Sequence, residues 1–430
     1  IAFAMSAVKS LSSGLSLRLK SARSAGGRSK ARSVCSAAGE QPRARASSSP
    51  ATRAVGRAVS SSTTPAVALR EPSTTLDGAS PPLPSLNELR SSIPAELFVP
   101  NVAYSLLFAA ADLSAAALCF SCAPFVCEHP LLTPLYAGVT GLVMWMCFVV
   151  GHDCGHASFS KSQRLNDIVG HISHSILLVP YWPWAYSHKQ HHRFHNHRTK
   201  DHSHPWFNAE EYEAVNPIVR FLALDHPWGA FLGFPGYLLL EPRWSGTDGS
   251  HFNPDSRLFD RAPLERRKCA ISTACVASFL SLTIALSGFD LSNWFIGYGA
   301  PYLVFSWWLF TVTYLQHHAD ETETFEDGEW NYVLGALETV DRRFGYGVDH
   351  LTHHITDGHT AHHLFSDLPH YALMPATKAL RPLLEATGRY KRKESTDFYA
   401  EVFRIHDKKG HCVEADRPRA FGLGGRKESR

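Results

Sequence analysis

Three short stretches concentrate histidine at spacings that can hold a metal. They are His152-Asp153-Cys154-Gly155-His156, His188-Lys189-Gln190-His191-His192 and His359-Thr360-Ala361-His362-His363. Positions three and four apart on a helix share a face, so each stretch aims two or three imidazoles one way. A lone HxxxH is weak evidence, because surface helices produce it by chance. Three such stretches, each near the end of an apolar run or answering one, point to a metal site. Imidazole suits Zn, Cu, Fe and Ni. A single zinc takes three or four ligands. Eight imidazoles are too many for one ion and imply two, with coordination positions left open.

The elements that must position these groups are apolar helices. Val102 to about Phe125 is an alanine-rich run with one acid, Asp112, and Leu131 to Val150 carries no charge. About 20 apolar residues cross a bilayer core, so the pair reads as a hairpin around the break Cys127-Glu128-His129-Pro130. Its return limb delivers the chain to His152. Cys269 to about Leu286 and Trp294 to Leu315 form a second pair around Ser287-Gly288-Phe289-Asp290, and its exit is Gln316-His317-His318. A buried helical core in a soluble protein is the competing reading; the length of the runs and their lack of charge argue against it. Two hairpins return the chain to its starting side. Arg261, Arg266, Arg267 and Lys268 precede the third run and mark that face as cytosolic or stromal. Ile172 to Trp184 and Phe231 to Leu240 are too short or too proline-rich to span and read as interfacial segments. The expectation is an all-α integral membrane protein, with four transmembrane helices in two hairpins and a helical cap that carries the metal site.

Composition narrows the rest. The chain has 430 residues, 44% of them hydrophobic, and a net charge of +3. It shows no basic helix or finger spacing for nucleic acid. Nine cysteines, odd in number and scattered mostly inside apolar runs, argue against a disulfide framework or a cysteine zinc site. Cys154 reads as packing. Residues 1–94 are rich in Ser, Ala, Arg and Pro and poor in acids, the pattern of an organelle transit peptide, with a disordered tail as the alternative. The membrane domain is expected over 95–385, followed by a polar tail over 386–430. His171, His174, His195, His197, His202, His204 and His226 read as hydrogen-bonded or solvated, since a ligand needs a convergent face. Asp153, Asp201, Asp341 and Asp357 lie near the boxes and are candidates to accept the second N–H of a ligating ring.

HDCGH, HKQHH and HTAHH, with this topology, resemble the membrane-bound fatty acid desaturase family over about Pro94 to Arg381. The resemblance implies eight iron-ligating histidines: His152, His156, His188, His191, His192, His359, His362 and His363. It adds a ninth from the end of the last membrane helix, matched by His317, with His318 in reserve. It also implies a di-iron site, O2 as co-substrate, a lipid-linked acyl substrate, and a reaction using one dioxygen and two electrons that leaves a cis double bond. Some members carry a fused cytochrome b5 domain marked by His-Pro-Gly-Gly. Asp225-His226-Pro227-Trp228 does not match, so electrons come from a separate carrier, ferredoxin in a chloroplast membrane or cytochrome b5 in the endoplasmic reticulum.

Finer specificity is divided. His152 to Ser160, Lys200 to Trp206 and Phe344 to His359 resemble omega-3 enzymes of algae and protists. Gln316-His317-His318 and His362 to Ser366 are similar to delta-12 enzymes. A hydroxylase of the same superfamily would share the boxes and differ by gain of oxygen in the product. A metal transporter would line its path with intramembrane polar residues, and these runs are nearly free of them.

Overall fold

The structure is a computed structural model that describes residues 82–204, 206–226, 228–240, 249–259, 262–407, 413–414 and 417–420. Most of the expected leader, and Arg261, lie outside the described residues. Helices dominate. Among the described residues, four segments are long and apolar enough to cross a membrane: Val102–Glu128, Pro130–His156, Pro263–Leu286 and Leu291–His317. Each overlaps an expected run. The second and fourth extend beyond the purely apolar stretch, so His152, His156 and His317 ride on the last turns of membrane-length helices.

The helices that build the site are α1 (Leu86–Ser92), α2 (Val102–Ser121), α3 (Thr133–His156), α4 (Gln163–Ser175), α5 (Tyr181–Phe194) and α6 (Gly229–Leu240). After them come α7 (Pro263–Leu286), α8 (Ala300–His317), α9 (His359–Leu364), α10 (Leu373–Ala386) and α11 (Phe398–Asp407). Proline in the first turn of α3, α7 and α8 costs no helical hydrogen bond there and presets the backbone. Asn101 caps α2 and Ser162 caps α4, each by accepting a backbone N–H of the first turn. α3 stops directly after His156. Ala157 adopts φ 58°, and the Ser158 N–H turns back to the carbonyl of Asp153 at 3.0 Å.

α3 and α8 form the central packed pair. A Cβ on Gly141 would meet the Val304 side chain at 2.6 Å and the Pro301 carbonyl at 2.8 Å, so only glycine allows this approach. A Cβ on Gly151 would strike the His174 ring at 2.3 Å, one residue before the first box. The main core runs from Met144, Trp145 and Phe148 through Phe305, Trp308, Leu309 and Leu315 to Leu373 and Leu380. Asp112, the acid expected in the first run, is buried in α2 and pairs with His353 Nε2 at 2.7 Å, which resolves its charge within the protein.

Two boundaries differ from expectation. Residues 86–93 fold: Leu89 and Ile93 sit in the main core. At the other end the body continues past 385. Strand β1 (Val340–Arg343) pairs in parallel with β2 (Lys391–Glu394), and Phe398, Val402 and Ile405 of α11 join the core. The run Tyr390-Lys391-Arg392-Lys393-Glu394 reads as tail because every residue after Tyr390 is charged. It forms a strand because β1 supplies the backbone partners and Glu338 and Glu321 pair Lys391 and Lys393. The fold is thus mostly helical rather than all-α.

Candidate metal centre

The three boxes and the end of α8 meet. One nitrogen from each of His152, His156, His188, His192 and His362 lies within 4.8 Å of the others, and the same holds for His191, His317 and His363. His359 joins the second set, its Nε2 being 3.2 Å from His317 Nε2 and 3.1 Å from His363 Nε2. In the first set His192 Nε2 is 3.2 Å from His188 Nε2 and 3.0 Å from His362 Nε2. All nine expected ligands are therefore gathered, five in one set and four in the other. His318 turns elsewhere, with its ring 4.4 Å from Trp206 and 4.9 Å from Tyr314.

The donor set fits two metal ions. Adjacent ligands about 2.1 Å from one ion at right angles lie about 3.0 Å apart, the spacing these Nε2 atoms show. His156 Nε2 is buried without a hydrogen-bond partner, which is costly unless something else fills the position. Burial, followed by the neighbouring imidazoles, pushes His188, His192, His359, His362 and His363 well below the usual histidine range. They are then neutral, the form that binds metal.

The four acids divide their roles. Asp201 accepts His191 Nδ1–H, with 2.9 Å to each oxygen, and also the backbone N–H groups of Asn196, Ser203 and His204. Burial alone would raise its pKa; the facing His191 and the backbone donors outweigh this and hold the carboxyl below its usual range. Asp153 lies 3.5 Å from His152 Nδ1 but accepts both the ring and backbone N–H of His370, at 2.8 and 2.9 Å. Asp341 accepts the Thr360 N–H at 2.8 Å and the Tyr390 hydroxyl at 2.6 Å, anchoring the first turn of α9. Burial pushes Asp341 up to about 6. Asp357 pairs with His354 instead.

Asp201→Asn is expected to weaken retention of the metal at the His191 set by roughly 10–100-fold, because the amide cannot receive His191 through two equivalent oxygens. Competition with a chelator, read as iron lost per chain, measures it; unchanged retention would contradict the role.

Of the remaining histidines, His171 is held by the Asp167 carbonyl and Ser272, His195 by the His192 and Tyr332 carbonyls, and His197 by Asp327. His174 packs among Phe148, Tyr181 and Trp184, and His226 against Phe221 and Trp228. His204 departs from the expectation. Its ring lies 4.4 Å from His317 and 4.9 Å from His191. Two sequence signals touch it, its position three residues beyond Asp201 and the Lys200 to Trp206 stretch, and neither carries a face.

One cavity opens onto both sets. Its lining includes His152, His188, His191, His317 and His359 together with Trp145, Phe148, Trp184, Phe207, Phe234, Leu309 and Phe310. α6, read from sequence as interfacial, supplies Phe234 and Tyr237 to this wall. A Cβ on Gly233 would meet Phe310 at 2.9 Å, so this glycine lets α6 sit close to α8. Nitrogen ligands at the mouth of an apolar channel bring a metal against an alkyl chain with water kept out.

Comparison with known proteins agrees with this chemistry. The family model described as fatty acid desaturase matches residues 129–394. The chain is 40% identical over 341 residues to the omega-3 fatty acid desaturase fat-1 of Caenorhabditis elegans, covering 77% of this chain and 82% of that protein. It is 36% identical over 336 residues to the delta(12) fatty acid desaturase fat-2 of the same organism, covering 74% and 85%. An Arabidopsis thaliana protein, the acyl-lipid omega-3 desaturase (cytochrome b5) of the endoplasmic reticulum, is 39% identical over 345 residues, covering 78% and 86%.

Proposed function

This chain belongs to the fatty acid desaturase family, and on that premise we propose that it places a cis double bond at the omega-3 position of a lipid-linked polyunsaturated acyl chain, as in conversion of linoleate to alpha-linolenate. The observation that carries the reading is the pair of imidazole sets at the end of an apolar cavity. His152, His156, His188, His192 and His362 would hold one iron, and His191, His317, His359 and His363 the other. When bound, the irons supply the activation of dioxygen needed to remove hydrogen from an unactivated methylene.

The protein's own groups do the rest. Phe148, Trp184, Phe234, Leu309 and Phe310 bind the acyl tail by apolar contact and exclude water from the reacting carbons. Asp201 fixes the tautomer of His191 by accepting a hydrogen bond from its Nδ1–H, which leaves Nε2 as the metal-donor atom. Asp341, through the Thr360 N–H, sets the pitch of the helix that presents His359, His362 and His363.

The four apolar helices cross the membrane as two hairpins, so that His152 and His317 emerge on one side. Arg266, Arg267 and Lys268 in the first two turns of α7 favour the cytosolic or stromal face. The electron donor is external, ferredoxin in a chloroplast membrane or cytochrome b5 in the endoplasmic reticulum, and docks on the same face. The acid-poor leader favours the chloroplast. The name of the Arabidopsis relative favours the other compartment, and a fluorescent fusion of residues 1–94 decides between them.

Expression in yeast fed linoleate tests the regiochemistry. Alpha-linolenate is the expected product. Conversion of the host's oleate to linoleate instead would establish the delta-12 reading, which the likeness to the delta(12) relative keeps in play. A product heavier by one oxygen would make the enzyme a hydroxylase.

A further inference from the structure

We propose that His204 is a tenth metal-facing imidazole, completing the second set to five ligands like the first. The inference rests on the two-metal reading above and goes beyond the nine histidines that reading assigns.

Three observations converge on it. The first is proximity. The His204 ring centroid lies 4.4 Å from that of His317 and 4.9 Å from that of His191. These spacings match those inside the set itself, where His191–His317 is 4.7 Å, His317–His363 4.8 Å and His191–His363 4.9 Å. The second is exposure of the ring to the reaction space. His204 lines the same cavity as His191, His317 and His359, and its ring makes no hydrogen bond among the described residues. His195 and His197, by contrast, commit ring nitrogens to backbone carbonyls and to a carboxylate.

The third is shared anchoring. Oδ1 of Asp201 accepts both the His191 ring N–H and the backbone N–H of His204, at 2.9 and 3.0 Å. One buried carboxylate therefore fixes a ligand of the second set and the loop that carries His204. Its neighbour Trp206 is buried against His318, which closes the loop from the other side. The two sets are otherwise unequal, five nitrogens against four, in a site whose neutral imidazoles are built for metal. His204 stands on the side of the smaller set.

The test uses full-length protein purified in detergent, with metal content per chain as the first readout and the visible spectrum of the cobalt-loaded protein as the second. Wild type is expected to hold two irons. His204→Ala and His204→Gln are each expected to keep their Tm but retain about one iron after chelator challenge, with the apparent affinity of the lost metal reduced by roughly tenfold or more. The cobalt spectrum should change for one ion of the pair, as its coordination number falls. Two irons held as tightly as in wild type, with an unaltered cobalt spectrum in both variants, would overturn the proposal. So would loss of both metals together with a lowered Tm, which would make His204 a structural residue. Wild type carrying a single zinc and no iron would instead bring down the two-metal reading itself, a result the variants cannot mimic.

Discussion

His191→Ala is expected to abolish desaturation, by at least about 100-fold, in yeast membranes where the chain is still inserted at the wild-type level. His191 is 1% exposed and sits at the centre of the second set. Truncation removes the donor that Asp201 orients, and it leaves that carboxylate buried with only backbone partners. Both losses fall on the metal site. Insertion depends on the apolar helices, which the substitution does not touch. His195→Ala is the control. His195 is equally buried, but its ring faces the carbonyls of His192 and Tyr332, so its loss should cost stability, on the order of 1–3 kcal/mol, and leave most of the metal in place. Product formation, iron content and membrane fractionation separate the two effects. Equal tolerance at both positions would contradict the ligand assignment.

Arg342→Ala is expected to destabilise the protein by about 3–5 kcal/mol, a Tm drop on the order of 10 °C in detergent. Arg342 is fully buried in β1. Its Nε–H donates to the Leu315 carbonyl at 2.7 Å, and Nη1 donates to Ser395 Oγ at 2.7 Å and Glu401 at 2.8 Å. One guanidinium thus ties the last turn of α8, two residues before His317, to the strand and helix at the C-terminal end of the body. It also places a positive charge where helix carbonyls lack partners. Truncation leaves Glu401 without its main cation and the Leu315 carbonyl without its donor. Arg342→Lys should recover little, since an ammonium cannot reach three directions as a planar fork does. An unchanged Tm for Arg342→Ala would remove Arg342 from its bracing role. A normal Tm with iron lost from the His317 set would instead show that the contact tunes the metal alone.

The division between what was legible and what was not follows individual residues. The boxes were readable because i, i+3 and i, i+4 spacing is a local property, and α3, α5 and α9 realise it directly. The family resemblance favours His317 over His318, and the packing of the last turn of α8 sends His317 toward His359 and His363 and His318 toward Trp206. His204 escapes a reading from sequence because an isolated histidine in a loop has no periodic face; Asp201 fixes the backbone that carries it, a contact between loop atoms. The run at 390–394 reads as tail because four of its five residues are charged, and its partner strand lies about fifty residues earlier, at Val340–Arg343.

By itself, the amino-acid order determined the apolar helices, the faces of the histidine boxes and hence a metal-binding membrane protein, because hydrophobic length and helical periodicity act over a few turns. Only the tertiary structure decided how nine imidazoles split into five and four, and which further side chains stand beside them. His192 and His362 are 170 residues apart in sequence and 3.0 Å apart in space. That distance depends on how α5 and α9, which carry the two residues, are held in the body, with Asp341 fixing the start of α9. Contacts of that range depend on the sum of packing across the whole body, which no local pattern of residues encodes.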